Sequence, residues 1–355
     1  EYEGGPARLH QVLECRSGHG GPLPFLAHND EKKRSLDWSR SDAAGTGRAM
    51  STETTDPLID THVHLVSEDA VRFPRQINAS ATHPWWAGGD HDLGAFRREM
   101  AAHGVAAALI VQAVGVYGYD NSYLQETTNG AATLAGVAAL DMEADGVGDE
   151  MTRLARAGGV AGVRLFGVSP GSSWIGSGKV DEAFTAADRA GVPLVLTVFE
   201  HQLPALIPPI TRFPGLRLAL DHCAFAAVDG GRVHGGSPLL DLVDVAHVTL
   251  KVSSHTLLDV PSPHAPSELV DDLLSRFGPA RLMWGSDWPQ TPLANYAAHL
   301  ELAGRAFGHL PAGVRAQIFG QNALAWLGDR SLTIVAGTGV DEAAASQGER
   351  HDADR

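Results

Sequence analysis

Leu58-Ile59-Asp60-Thr61-His62-Val63-His64-Leu65 is a short apolar run that ends in two histidines two positions apart. Side chains at i and i+2 of a β-strand share a face, so a strand here carries both imidazoles to one point beyond its end. The same kind of run recurs along the chain, at 106–114, 134–141, 160–167, 193–201, 216–223, 248–254 and 281–287. Between the runs lie segments with helical spacing, among them 93–103, 149–157, 180–190, 203–213 and 267–277. Gly104, Gly158, Gly191 and Gly278 stand where such helices would end.

Near-continuous apolar strands alternating with helices mean a parallel sheet covered on its faces, and eight such units are the count of a closed barrel. The predicted fold class is therefore α/β, a single-domain (β/α)₈ TIM barrel over residues 56–328. A doubly wound sheet is the competing arrangement. It is disfavoured because neither GxGxxG nor GxxxxGK[ST] follows any strand.

In such a barrel the chemistry gathers at the carboxyl ends of the strands, and the ionisable residues of this chain fall there. The first strand ends in His62 and His64, the fourth in Arg164, the fifth in Glu200 and His201, the sixth in Asp221 and His222. The seventh ends in Ser253, Ser254 and His255, and the eighth run closes with Trp284-Gly285-Ser286-Asp287-Trp288-Pro289. Imidazoles and a carboxylate from several strands make either a metal site, for which zinc is well suited, or an acid/base constellation. Alternation predicts that Asp221 points away from His222, toward neighbouring backbone. Arg164 is a natural anchor for an anionic substrate. Trp284 and Trp288 read as packing residues, and His83, His91, His103, His234, His299 and His309 as solvated.

The chain has 355 residues, 44% of them hydrophobic and 19% charged, the composition of a globular protein. Residues 1–49 hold seven basic and seven acidic side chains, so the formal charge of −15 belongs to the rest. Such a surface repels phosphate backbones and anionic lipid, which argues against nucleic-acid and membrane partners. No apolar run approaches the ~20 residues of a membrane span, and the expected location is cytoplasmic. Cys15 and Cys223 are the only cysteines, too few for a disulfide framework, and a metal would be held by histidine and carboxylate. Residues 1–49 read as a disordered extension with the natural start at Met50, and 329–355 as a loose C-terminal tail.

The segments IDTHVH at 59–64, YGYDNSYL at 117–124, GVRLF at 162–166, LALDHCAF at 218–225, LKVSS at 250–254 and RLMWGSDWP at 281–289 carry a resemblance. Together they resemble the amidohydrolase-related (amidohydrolase 2) family of barrel-fold metal-dependent hydrolases, nearest its branch of 2-pyrone-4,6-dicarboxylate and sugar lactonases. The resemblance implies that His62 and His64 are first-strand metal ligands, His222 the sixth-strand catalytic histidine, and Asp287 both ligand and acid/base. It further implies that Arg164 contacts a substrate carboxylate and that Tyr117 and Asn121 flank the pocket.

One family feature is missing. Many members bridge two metals with a carboxylated lysine at the fourth strand end. Here that position is Arg164, and Lys179 and Lys251 are the only lysines after residue 49. The resemblance thus implies one divalent ion, zinc or manganese, or metal-independent action, with Glu200 or His201 as the fifth-strand ligand. The expected activity is hydrolysis of a small, anionic cyclic ester, a lactone, as a small-molecule substrate. A decarboxylase of the same barrel group and a barrel that only binds a ligand are the rival expectations. A homo-oligomer is left open.

Overall fold

The computed structural model describes residues 56–76, 84–87, 89–169, 172–330 and 332. The readings of 1–49 and of most of 329–355 lie outside these residues, as does that of His83.

Eight parallel strands form one sheet in chain order: β1 (Leu58–Val63), β2 (Val105–Val111), β3 (Leu134–Leu140), β4 (Val160–Phe166), β5 (Leu194–Thr197), β6 (Leu218–Leu220), β7 (Val248–Ser253) and β8 (Leu282–Gly285). All eight expected strands are present, and the architecture is a single-domain TIM barrel. Helices interleave them: α1 (Leu93–His103), α2 (Ser122–Thr128), α3 (Val147–Ala155), α4 (Gly178–Ala190), α5 (Leu203–Arg212), α6 (Pro266–Phe277), α7 (Tyr296–Phe307) and α8 (Asn322–Leu327). Local chemistry sets several boundaries. Asp92 accepts from the Ala95 amide at the start of α1, and Gly104, at φ 67°, ends it in the left-handed conformation that glycine tolerates. Gly191 ends α4 the same way, whereas α3 stops at Ala155 with Arg156 as its cap, two residues before the expected Gly158.

The core has two layers. Alternate strand residues such as Val248, Leu250 and Val252 face the helices. Inside the barrel, Ile59, Leu109, Val137, Val195, Ala219 and Met283 pack with Trp326 and Leu327 of α8, which close its amino-terminal end. Gly162 makes that closure possible, since a Cβ there would lie 2.7 Å from the Trp326 ring. The seam between β1 and β8 is drawn together at its upper end, where the His64 amide donates to Trp288 O and the Asp287 amide to His62 O, both at 2.8 Å. Asp60 braces the seam from outside, accepting from the amides of Ser286 and His62 and from the Tyr296 hydroxyl.

The first residues of the stretch read as a loose tail are docked. Arg330 donates to the carbonyls of Ala155, Val160 and Ala190, and Leu332 is buried. Among the described residues no helix is long and apolar enough to cross a membrane.

Candidate active site

His62 and His64 leave the end of β1 on the same face, as their spacing requires, and both are buried. Their outer nitrogens face acceptors: His62 Nδ1 lies 3.1 Å from Asp221 Oδ1, and His64 Nδ1 lies 2.9 Å from the carbonyl of Val111. Each Nδ1 therefore carries the proton, and each Nε2 presents a bare lone pair to the barrel mouth. The two Nε2 atoms stand 3.2 Å apart. Burial pushes His62 down to about 4 against the pull of Asp221, so its imidazole is neutral at pH 7.

Asp287 meets them from the other side of the seam. Its φ of 58° is left-handed, unusual for a residue with a side chain, and turns the carboxylate into the mouth. Gly285 clears the space, because a Cβ there would fall 2.8 Å from His62 Cβ. Oδ2 accepts from the Thr291 hydroxyl at 2.7 Å. Oδ1 lies 3.4 Å from His64 Nε2 and 3.6 Å from His62 Nε2, and it has no hydrogen-bond donor. Burial alone would raise the Asp287 carboxyl, but His222, His64 and His62 hold it well below the usual carboxylate range.

Three buried potential ligand atoms thus converge on one point, an arrangement that could hold a metal ion. The spacing fits. A tetrahedral ion with bonds of about 2.0–2.1 Å holds its ligand atoms about 3.3–3.4 Å apart, close to the three separations here. His62, Asp221 and His222 form a second cluster of similar size, but both Asp221 oxygens are already taken. Oδ1 meets His62 Nδ1 and Lys251 Nζ, each at 3.1 Å, while Oδ2 accepts from Thr197 Oγ1 at 2.7 Å and Arg164 Nε at 3.0 Å. The His62, His64 and Asp287 set is the one that fits an ion.

His222 lies beside this set, its ring centroid 4.8 Å from that of His62 and its Nδ1 2.7 Å from Ser253 Oγ. Burial holds it well below the usual histidine range, with Asp287 opposing. It reaches the site through an unusual backbone: β6 stops at Leu220, and His222 through Phe225 all have φ between 51° and 55°. That turn breaks strand alternation, so Asp221 and His222 both enter the site. The expectation that Asp221 points elsewhere is corrected by this geometry.

The fifth strand departs from expectation in a similar way. β5 ends at Thr197, and the chain leaves the barrel in a tight turn over Glu200–Gln202. His201 is exposed and stacked on Phe199, while Glu200 accepts from Ser237. Neither His201 nor Glu200 joins the ligand cluster; the strand's contribution is the Thr197 hydroxyl.

Arg164 points into the barrel, as expected. Its Nε is shared between Thr197 and Asp221, and Nη1 lies 3.3 Å from Gln112 O. Tyr117 and Asn121 hold backbone: the Tyr117 hydroxyl accepts from the Ser67 amide, and the Asn121 amide group bonds Ala139 N and O and Tyr119 O. Arg281 donates to the carbonyls of Leu242, Val243 and Val248 and has no bond to Asp287. His234 and His309 are exposed, His91 and His103 half-buried. His299 differs: it sits on the inner face of α7, 1% exposed, with Nδ1 3.0 Å from Ser254 Oγ. Sequence reasoning missed Lys251, wholly buried in β7. The available signal was a lysine inside the otherwise apolar strand VTLKVS.

The sequence profile of the amidohydrolase family matches residues 59–328. The chain belongs to the amidohydrolase family. It is 26% identical over 279 residues to an L-fucono-1,5-lactonase of Burkholderia ambifaria, covering 75% of this chain and 93% of that relative. Among solved structures it is similar to a protein of Pseudomonas putida described as a candidate 2-pyrone-4,6-dicarboxylic acid hydrolase. That match has a TM-score of 0.60 and 25% identity over 77% of this chain and 97% of the other. An amidohydrolase of Burkholderia multivorans with bound zinc superposes with a TM-score of 0.61 at 23% identity, over 76% of this chain and 99% of its own, a likeness of fold.

Proposed function

We propose that this amidohydrolase-family enzyme is a lactonase, opening a small cyclic ester by attack of water. The observation that carries the reading is the convergence of His62 Nε2, His64 Nε2 and the donor-free Asp287 Oδ1 at the barrel mouth. The L-fucono-1,5-lactonase relative supports the choice of ester, and the zinc in the Burkholderia multivorans amidohydrolase supports the choice of ion.

His62, His64 and Asp287 would hold one divalent ion, zinc or manganese. An ion held by these residues would supply polarisation of the ester carbonyl and acidification of water. Asp287 Oδ1 takes the proton of the attacking water and returns it to the leaving ring oxygen, while Thr291 keeps the carboxylate aimed. His222, fixed by Ser253, turns its Nε2 edge toward the carbonyl oxygen and orients it. Arg164 meets a substrate carboxylate through Nη2, the guanidinium nitrogen with no hydrogen bond among the described residues. In metal-independent action His62, His64 and His222 would polarise the carbonyl as hydrogen-bond donors; the acceptors at Asp221 and Val111 favour the Nδ1–H form of the first two, which suits metal ligation.

The test is elemental analysis of the purified protein followed by a panel of neutral and carboxylated lactones, with and without chelator. Ring opening that consumes one water and releases one acid supports the reading. Release of carbon dioxide from an unsaturated acid, with no lactone opened, would replace it with the decarboxylase reading.

A further inference from the structure

Val248, Leu250 and Val252 of β7 pack toward the helices, and Lys251 lies on the alternate face of the strand, wholly buried inside the barrel. Its Nζ is 3.1 Å from Asp221 Oδ1. Desolvating an ammonium costs several kcal/mol, and an apolar side chain could fill the same space, so stability alone does not account for it.

What Lys251 does follows from how three hydrogen-bonding partners and one ion pair divide Asp221, the Lys251 ammonium meeting Oδ1 as a charge with no hydrogen bond of its own. Thr197 and Arg164 hold Oδ2, while Oδ1 lies between Lys251 Nζ and His62 Nδ1. An ionised carboxylate has no proton to give, so Oδ1, held in place by the charge of the ammonium beside it, can only accept from His62 Nδ1. His62 must then carry its proton on Nδ1, which leaves Nε2 bare toward His64 and Asp287. A carboxylate anchored at Oδ2 alone would be free to turn Oδ1 away and release the imidazole to either tautomer.

We propose that Lys251 is a positioning residue that acts through Asp221 to fix the tautomer and orientation of His62, and so builds the metal-binding edge of the site without touching substrate. The proposal rests on the reading of His62 as a ligand and is independent of which bond the enzyme breaks.

The experiment uses the full chain stripped of metal, with histidines labelled with ¹⁵N, and zinc affinity measured by competition with a chelating indicator. In the wild type His62 is expected in the Nδ1–H form. Lys251→Met should lose that fixed form and weaken zinc binding by about 10- to 100-fold, the usual effect of removing an outer-shell partner. Asp221→Asn should weaken it comparably, and the double variant no more than the stronger single one, because both act through one path. Lys251→Gln carries the same comparison if Lys251→Met does not fold. An unchanged His62 pattern with wild-type zinc affinity, or fully additive losses in the double variant, would overturn the proposal. A shifted tautomer and weakened zinc in a protein that opens no lactone would count against the lactonase reading alone.

Discussion

The backbone amide of Asp287 donates to the carbonyl of His62 at 2.8 Å, so the last and first strands of the barrel are joined by the two residues whose side chains meet in the site. Barrel closure and ligand convergence are thus one piece of geometry. A change that opens the seam moves Asp287 Oδ1 away from the two Nε2 atoms, even when no ligand is altered.

Asp287→Asn tests the proton carrier. The variant keeps the shape and the Thr291 contact but loses the base. General acid–base catalysis contributes roughly 10²- to 10⁴-fold, and kcat should fall by at least that much with the melting temperature little changed. Retention of more than about a tenth of wild-type turnover, a barrier change under ~1.4 kcal/mol, would remove Asp287 from that role.

Dialysis against a chelator should abolish lactone opening, and zinc or manganese should restore it. The ion should also stabilise the fold, since a ligand at 100 times its Kd that binds only the native state adds about 2.7 kcal/mol. Full activity in protein shown by elemental analysis to be metal-free would rule out the metal reading.

Gly285→Ala probes the seam. The added methyl would lie 2.8 Å from His62 Cβ and 3.0 Å from His62 N, both parts of a packed strand that cannot swing aside. Overpacking of this kind costs about 1–3 kcal/mol, and zinc affinity should fall with stability. A variant as stable and as tight for zinc as the wild type would show that the seam yields freely.

Much of this was legible in the sequence because it depends on local periodicity. Eight apolar runs gave the strands, and the i, i+2 spacing of His62 and His64 placed both imidazoles on one face. What was not legible depends on where strands stop and how they turn. Ala219 lines the barrel, so Asp221 enters by alternation, and the left-handed run at His222–Phe225 turns His222 in beside it. The end of β5 at Thr197 takes Glu200 and His201 out of the site. Lys251 is a charge among the apolar residues of its strand, a signal the sequence reading passed over, and its partner, Asp221, comes from a neighbouring strand and is not set by local spacing. Tyr117 and Asn121 sit in the expected loop region, yet their polar atoms hold backbone, a distinction that residue type alone does not carry.

Arg164→Lys keeps a charge but loses the planar fork that bridges Thr197, Asp221 and the Gln112 carbonyl. KM for carboxylated lactones should rise far more than KM for neutral ones. Equal effects on both would limit Arg164 to bracing Asp221.

His299 supplies a test by pH. Burial pushes it down to about 4, against the opposing pull of Asp287 and the Ser286 backbone, from 6.5 in the unfolded chain. Between those values the unfolded chain binds a proton that the folded chain excludes, so stability falls as pH drops from about 6.5 toward 4, with a slope of up to about 1.4 kcal/mol per pH unit. The contribution is fully present above the unfolded value. His299→Gln keeps a hydrogen-bonding group near Ser254 and removes the titration, so its urea midpoint should fall less between pH 7 and pH 5 than that of the wild type. Identical losses in the two proteins would mean that His299 takes up its proton in the folded state, contrary to its burial on the inner face of α7.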